Sequence, residues 1–485
     1  MNAPPVQIQL ALISHTNAGK TTLARTLLGF DVGEVRDAPH VTTAPELHTL
    51  LATPSGDLLQ LWDTPGFGDS VRLVKRLRMA DNPIGWFLRE VVDRFRDRAF
   101  WLSQQAVRAA RDAADVVLYL VNSSEDPIDA GYLLPEMKIL QWLGKPVVIL
   151  LNQTGAPRPF ALEQGEQARW HSHFADFTVV KVVLALDAFA RCWVHERVFY
   201  QALGPLMPIE KKEVYAQLLQ VWEKDNRARL EASMHVIARQ IAAAAHDSEP
   251  MEPAGKAVFD TLLEAVGLGQ QRAQKRQDKA WHGLLQRQND GVLKATIELL
   301  KLHRLDAGEA AKINHRVQQG FVVRAPIDTR QAGLLGAALS GAATGLSADL
   351  LAGGLTFGAG ALVGGVIGAL TFSGAAWAFN SSTDRGQPSL HFSPDFLRTQ
   401  VVAGLLRYLA VTHFGRGRGK FTELEAPGFW QKEVEDAMAM HQDALAGALR
   451  LLEAKDHDSQ STALAAALTQ ITTQVFARLY PRDIQ

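Results

Sequence analysis

Eight residues constrain this chain more than any others: Ser14-His15-Thr16-Asn17-Ala18-Gly19-Lys20-Thr21, lying between an apolar β-branched run at 6–13 and a helical pattern. A glycine-containing loop entered from a strand and left into a helix turns backbone N–H groups inward, where they can wrap an anion. The context commits this part of the chain to strand–loop–helix units around a parallel sheet. Within the loop, Asn17, Ala18 and Gly19 supply main chain for a phosphate cradle. Lys20 can bridge the outer phosphates, the Thr21 hydroxyl can bind Mg²⁺, and Thr22 follows in the first helical turn. Ser14 occupies the first position, where a glycine is usual, and it must tolerate a tight turn.

Further short apolar runs at 46–52, 58–62, 116–121, 147–151 and 179–186 alternate with helical patterns, as expected of a doubly wound α/β domain over residues 1–205. Residues 70–114 read as a helical insertion longer than a simple crossover needs. From 206 to 330 the pattern is helical without strand signal, with Leu230, Met234, Ile237 and Ile241 on one face. A glycine-rich apolar segment occupies 331–380, and a helical region follows over 381–485. At 485 residues, the chain is long enough for two or three separate cores.

Two more elements extend the phosphate reading. Trp62-Asp63-Thr64-Pro65-Gly66 follows the third strand, where Asp63 can hold Mg²⁺ through water and the Gly66 N–H can sense a terminal phosphate. The polar loop at 33–43 ends in Thr42 and Thr43, either of which can supply the Mg²⁺-binding hydroxyl of a mobile switch. Asn17-Ala18-Gly19-Lys20-Thr21, Thr42/Thr43 and Asp63-Thr64-Pro65-Gly66 together resemble the TrmE-Era-like class of translation-factor-related GTPases. More narrowly, the run from 14 to 43 with a later glycine-rich apolar segment resembles an uncharacterised bacterial GTPase family known as a domain of unknown function.

The resemblance implies a GTPase that acts on the γ-phosphate with Mg²⁺, with Lys20, Thr42, Thr43 and Gly66 as its catalytic residues. It also implies that Phe67, standing after the Asp-x-x-Gly element, cannot orient water as a glutamine does. In such relatives an asparagine matching Asn17 helps hold K⁺ against the phosphates; an arginine from the insertion is the competing source of charge. The chain departs from the family where Asn-Lys-x-Asp is expected, since Asn152-Gln153-Thr154-Gly155 ends without a carboxylate for guanine. Asn152 can contact the base edge or brace the phosphate loop. Asp187, after the last strand, either supplies the missing acceptor or caps the following helix.

Residues 332–379 hold 12 glycines and one charge, Asp349, and are long enough for two membrane-crossing helices turning at Gly353-Gly354. Their small residues also suit a buried soluble hairpin, or a conditional segment released by nucleotide. Lys plus Arg (50) nearly balances Asp plus Glu (51), so no global field favours nucleic acid, and the basic run from 71 to 111 reads as a solvated helix face. One cysteine, Cys192, excludes an intramolecular disulfide and suits a reducing compartment. No basic region precedes the first apolar run, so no signal peptide is expected. His171 and His173 read as surface residues.

The expected protein is therefore a GTP-binding switch in the cytoplasm, associated with the inner membrane through its helical region and acting on a protein partner or by self-association. A nucleotide-gated membrane scaffold with little turnover, or an ATPase in view of Gly155, are the alternatives.

Overall fold

The computed structural model describes residues 4–16, 18–28, 46–67, 70–77, 98–155, 158, 160–186, 192–250, 269–305, 310, 313, 379–384, 387–413, 428–452 and 457–480. The chain divides into two compact units. The first comprises Met1–Ala228, Thr412–Leu424 and Leu479–Gln485; the second comprises Arg229–Val411 and Glu425–Arg478.

The first unit is built on a six-stranded sheet of β1 (Gln7–Ser14), β2 (Glu46–Ala52), β3 (Leu58–Asp63), β4 (Val116–Asn122), β5 (Val147–Asn152) and β6 (Val180–Ala185), in the order β2-β3-β1-β4-β5-β6. Only β2 runs antiparallel to its neighbour. The runs Val-Val-Leu-Tyr-Leu-Val in β4 and Val-Val-Ile-Leu-Leu in β5 carry no polar alternation because both faces are covered, and every one of these side chains is buried. β2 lies at the edge, where burial of its side chains is at most partial.

Alternate residues of the inner strands feed two cores. Ala11, Ile13, Val117, Tyr119 and Ile149 face one side with Met137 and Leu140 of α4 (Leu133–Leu143) and Trp170 of α5 (Phe160–Phe174). That side also receives Leu73 of α2 (Ser70–Leu77) and Val107 of α3 (Arg98–Ala113). Leu10, Leu12, Leu118 and Leu150 face the other side with Leu23 of α1 (Lys20–Leu28) and Phe199 of α6 (Trp193–Leu203). From β1 the sheet extends through β4, β5 and β6 on one side and through β3 to β2 on the other, which leaves the carboxyl ends of β1 and β3 side by side at the crevice where such sheets bind ligands.

The second unit is mainly helical. It contains the C-terminal part of α7 (Lys212–His246), with α8 (Gly269–Leu302), most of α9 (Pro394–His413), α10 (Phe429–Met440), α11 (Gln442–Leu451) and α12 (His457–Leu479). It also holds a three-stranded antiparallel sheet, ordered β7-β9-β8, from β7 (Ser248–Pro250), β8 (Phe379–Asp384) and β9 (Gln387–Phe392). This corrects two expectations. The 206–330 stretch contains a strand, and Phe379, expected at the end of an apolar helix, opens β8. Ser-Glu-Pro and Phe-Asn-Ser-Ser-Thr-Asp carry no apolar alternation; they are strands because partners from distant sequence pair with them.

Inside this unit Gln240, Gln288, Gln400 and Arg407 form a buried polar ladder with contacts of 3.2, 2.7 and 3.5 Å. Among the described residues no helix is long and apolar enough to cross a membrane, and residues 331–378, including Asp349, lie outside them.

Candidate nucleotide site

The site is assembled where β1 and β3 end. Ser14, the last residue of β1, is fully buried, and its carbonyl accepts the Phe67 N–H at 2.9 Å. His15 and Phe67 form a parallel bridge that continues the β1–β3 pairing past the strands. Thr64, also fully buried, donates from Oγ1 to the Leu12 carbonyl at 2.7 Å. The segment after Asp63 is thereby fastened to the start of the phosphate loop by main chain and to β1 by a hydroxyl.

Lys20 opens α1 and is buried, with Nζ donating to Ser14 Oγ at 2.9 Å. Burial pushes its ammonium below the ordinary lysine range, while the carboxylates of Asp63 and Glu136 pull it back up. Serine at the first loop position thus gives the lysine a hydroxyl partner where a glycine offers none. Thr21 Oγ1 donates to Asp63 Oδ2 at 3.1 Å. The Asp63 carboxyl is held above the ordinary carboxylate range by burial, with Lys20 and the Thr21 bond opposing. Its other oxygen, Oδ1, is buried without a hydrogen-bond partner among the described residues.

A hydroxyl beside a buried carboxylate with one unsatisfied oxygen fits a hard, oxygen-seeking divalent cation, so Thr21 and Asp63 are the residues that would hold Mg²⁺. Gly66 is buried so closely that an added Cβ would stand 2.9 Å from Lys20 Nζ and 3.2 Å from the Thr16 Cα. A side chain at this position would push the lysine ammonium from its place beside Ser14.

Asn152, at the end of β5, is fully buried and donates from Nδ2 to the Ala18 carbonyl at 2.9 Å, bracing the loop from behind. Gly19 has φ of +89°, and a Cβ there would come within 2.6 Å of the same Nδ2. Thr22 is buried one position beyond Thr21. Gln153 and Gly155 take left-handed backbone, with φ of 60° and 83°. Asn17, Thr42, Thr43 and Asp187 lie outside the described residues.

One functional group was missed by sequence reasoning. Glu136 in α4 is fully buried and gathers Tyr119 Oη at 2.5 Å, Ser70 Oγ at 2.6 Å and His15 Nδ1 at 2.7 Å. The His15 ring stacks on Tyr132 with centroids 4.1 Å apart. One carboxylate therefore joins the phosphate loop to the first residue of α2, the helix that follows the Asp63–Gly66 element. Burial and the neighbouring Glu136 push the Tyr119 phenol well above its ordinary range, so it stays a donor. The readable signal was an acid at 136 on the apolar face shared by Leu133, Met137 and Leu140.

These features define a P-loop GTPase domain, and residues 9–153 match the family model described as 50S ribosome-binding GTPase. The chain as a whole belongs to the family described as a domain of unknown function, DUF3482, which matches residues 177–479. No curated protein matches the chain. Among solved structures it is similar to an Era variant from Aquifex aeolicus bound to GDP and aluminium fluoride, at 17% identity and a TM-score of 0.31 over 42% of this chain and 57% of that one. It is also similar to Era bound to MgGDPNP and a 16S ribosomal RNA segment, with the same identity and score, over 42% of this chain and 58% of that one. A third is the elongation factor SelB of Methanococcus maripaludis with a GTP analogue, at 15% identity and a TM-score of 0.24 over 39% of this chain and 31% of that one. The match spans little more than half of each Era chain.

Proposed function

We propose that the first unit binds GTP with Mg²⁺ and hydrolyses it at the γ-phosphate, and that the helical unit transmits the nucleotide state to a partner. The observation that carries this reading is the buried set at the β1 and β3 ends: Lys20 on Ser14, Thr21 on Asp63, and Gly66 close against Lys20. Water attacks the γ-phosphorus, the bond to the bridging oxygen breaks, and negative charge develops on the oxygens around it. Lys20, already desolvated, meets that charge without reorganisation. The Gly66 N–H registers the terminal phosphate, and Thr42 or Thr43 closes over it from the switch loop. When bound, Mg²⁺ supplies charge neutralisation across the outer phosphates; Thr21 and Asp63 hold its place.

Phe67 is fully buried in the core, which supports a source of catalytic charge other than a side chain at that position. K⁺ held with the help of Asn17 is the source we assign, and an arginine from residues 70–114 is its rival. Asn152 acts as a brace of the loop. Asp187 supplies the carboxylate for guanine that Gly155 lacks. Competition between GTP and ATP for the full chain, in K⁺ and in Na⁺, tests these assignments. Strong preference for GTP with K⁺-stimulated turnover supports them, and equal binding of the two nucleotides contradicts guanine recognition.

The left-handed Gly155, which offers no carboxylate, favours the second reading of a nucleoside-triphosphatase with weak base selectivity, and the same competition separates the two. The glycine-rich segment at 331–380 is the part we assign to the inner membrane, with nucleotide-dependent self-association as a further output. Nucleic acid is not the partner we propose. Recovery of the full chain in the soluble fraction without detergent contradicts the membrane assignment.

A further inference from the structure

Away from the nucleotide site, the first unit brings together the chain's single cysteine and two histidines. Cys192 is the N-cap of α6, and His195 is the third residue inside that helix, so both donors leave the same end of one element. His413 ends α9, and Tyr480 follows α12; both belong to segments counted in the first unit. One donor atom from each of Cys192, His195 and His413 lies within 4.8 Å of the other two. Cys192 is fully buried, His413 is 1% exposed and Tyr480 is 6% exposed. The Tyr480 hydroxyl stands 2.6 Å from His413 Nε2, and its ring meets His195 edge-on at 4.3 Å between centroids.

The distances suit coordination. A tetrahedral ion with a thiolate at ~2.3 Å and an imidazole nitrogen at ~2.05 Å sets those two ligand atoms ~3.6 Å apart. Cys192 Sγ and His195 Nδ1 are 3.6 Å apart. The Cys192 N–H also reaches His195 Nδ1, at 3.1 Å, and this contact already turns the ring toward the sulfur. Thiolate with two imidazoles is a borderline-soft set that suits Zn²⁺ and disfavours the hard Mg²⁺ of the nucleotide site.

We propose that Cys192, His195 and His413 bind a Zn²⁺ ion, with water in the fourth position and the Tyr480 hydroxyl fixing the orientation of the His413 imidazole. Loading exchanges the Cys192 N–H contact of His195 Nδ1 for the metal and releases the thiol proton to solvent. The ion clips the start of α6 to the chain at 413, more than 200 positions further along. None of the three side chains takes part in the proposed nucleotide chemistry, so this site stands or falls separately from it.

The test is a titration of the full chain, stripped with a chelator and free of nucleotide, with Co²⁺ as a spectroscopic substitute for Zn²⁺. One equivalent is expected to bind with a thiolate-to-cobalt charge-transfer band and the strong visible absorption of a tetrahedral ion, both removed by added Zn²⁺. Because the chain has one cysteine, such a band reports on Cys192 alone. Cys192→Ser abolishes the band, and His195→Asn and His413→Asn each weaken Co²⁺ binding by more than ~10-fold. Circular dichroism identifies any variant that fails to fold, and the wild-type titration stands without the variants. A wild-type chain with no charge-transfer band overturns the proposal, as does a band that keeps wild-type affinity in folded forms of both histidine variants.

Discussion

Replacing Glu136 perturbs this structure in a way whose size can be worked out in advance. The carboxylate accepts from Tyr119 and Ser70, which are 0% and 5% exposed, and is in contact with His15 Nδ1 at 2.7 Å. Glu136→Ala removes all three contacts at once. Each buried donor left without a partner costs ~1–3 kcal/mol, so the two buried hydroxyls alone imply ~2–6 kcal/mol. Water entering the vacated space can recover one bond, which brings the expected loss to about 3 kcal/mol. Glu136→Gln keeps the shape but turns one accepting oxygen into a donor facing a donor, and about 1–2 kcal/mol is expected from the weaker neutral contacts.

Tyr119→Phe removes one of the donors, so its effect is not additive with Glu136→Ala, and a coupling of ~1–3 kcal/mol is expected from the double-mutant cycle. The assay is urea unfolding of the full chain, reading the midpoint at unchanged slope. Because His15 lies in the phosphate loop and Ser70 opens α2, GTP turnover should fall more than GTP affinity in Glu136→Gln. A Glu136→Ala chain within ~0.5 kcal/mol of wild type, or an additive cycle, would refute the reasoning.

Three further outcomes follow from single observations. Asn152→Ala loses the buried bond to the Ala18 carbonyl, worth ~1–1.5 kcal/mol, so roughly ten-fold weaker nucleotide binding is expected by calorimetry; unchanged affinity would contradict the bracing role. Burial raises the Asp63 carboxyl above its unfolded value, so it costs stability at neutral pH, a cost that recedes as pH falls through the folded value. Protons then compete with Mg²⁺, so Mg²⁺-dependent nucleotide affinity should weaken on acidification more in wild type than in Asp63→Asn, and an equal pH dependence in the two would contradict this. In the second unit, burial pushes the Arg407 guanidinium down to about 10, and its Nε is a buried donor without a hydrogen-bond partner among the described residues. The penalty is full below that pH and fades above it, so Arg407→Met should stabilise the chain at pH 7 by ~1–3 kcal/mol in urea unfolding, and a loss of stability would contradict this.

The legible parts of the fold were those encoded locally. The phosphate loop, Asp63–Gly66 and the central strands announce themselves because a β-branched apolar run, a Gly-Lys-Thr turn and an Asp-Thr-Pro-Gly turn each need only their own neighbours. Glu136 did not announce its role, because its three partners lie 17, 66 and 121 positions away and meet it only when the sheet is assembled. The pairing of β7 with β9 was hidden for the same reason, since Ser248–Pro250 gains its partner from residues 389–391. The Cys192–His195 spacing was visible, but His413 joins it only through tertiary structure, so the sequence reading stopped at the absence of a disulfide. The sequence showed Ser14 only as a residue that must tolerate a tight turn where glycine is usual; its hydroxyl's bond to Lys20 appears once the loop is folded.

The most direct measurement is γ-phosphate release by the purified full chain, with GTP and ATP side by side in Mg²⁺ and K⁺, for wild type and Lys20→Ala. The account predicts saturable GTP hydrolysis that exceeds ATP hydrolysis and falls by at least ~100-fold in Lys20→Ala. Absence of turnover in the wild type, or turnover indifferent to the loss of Lys20, would contradict it.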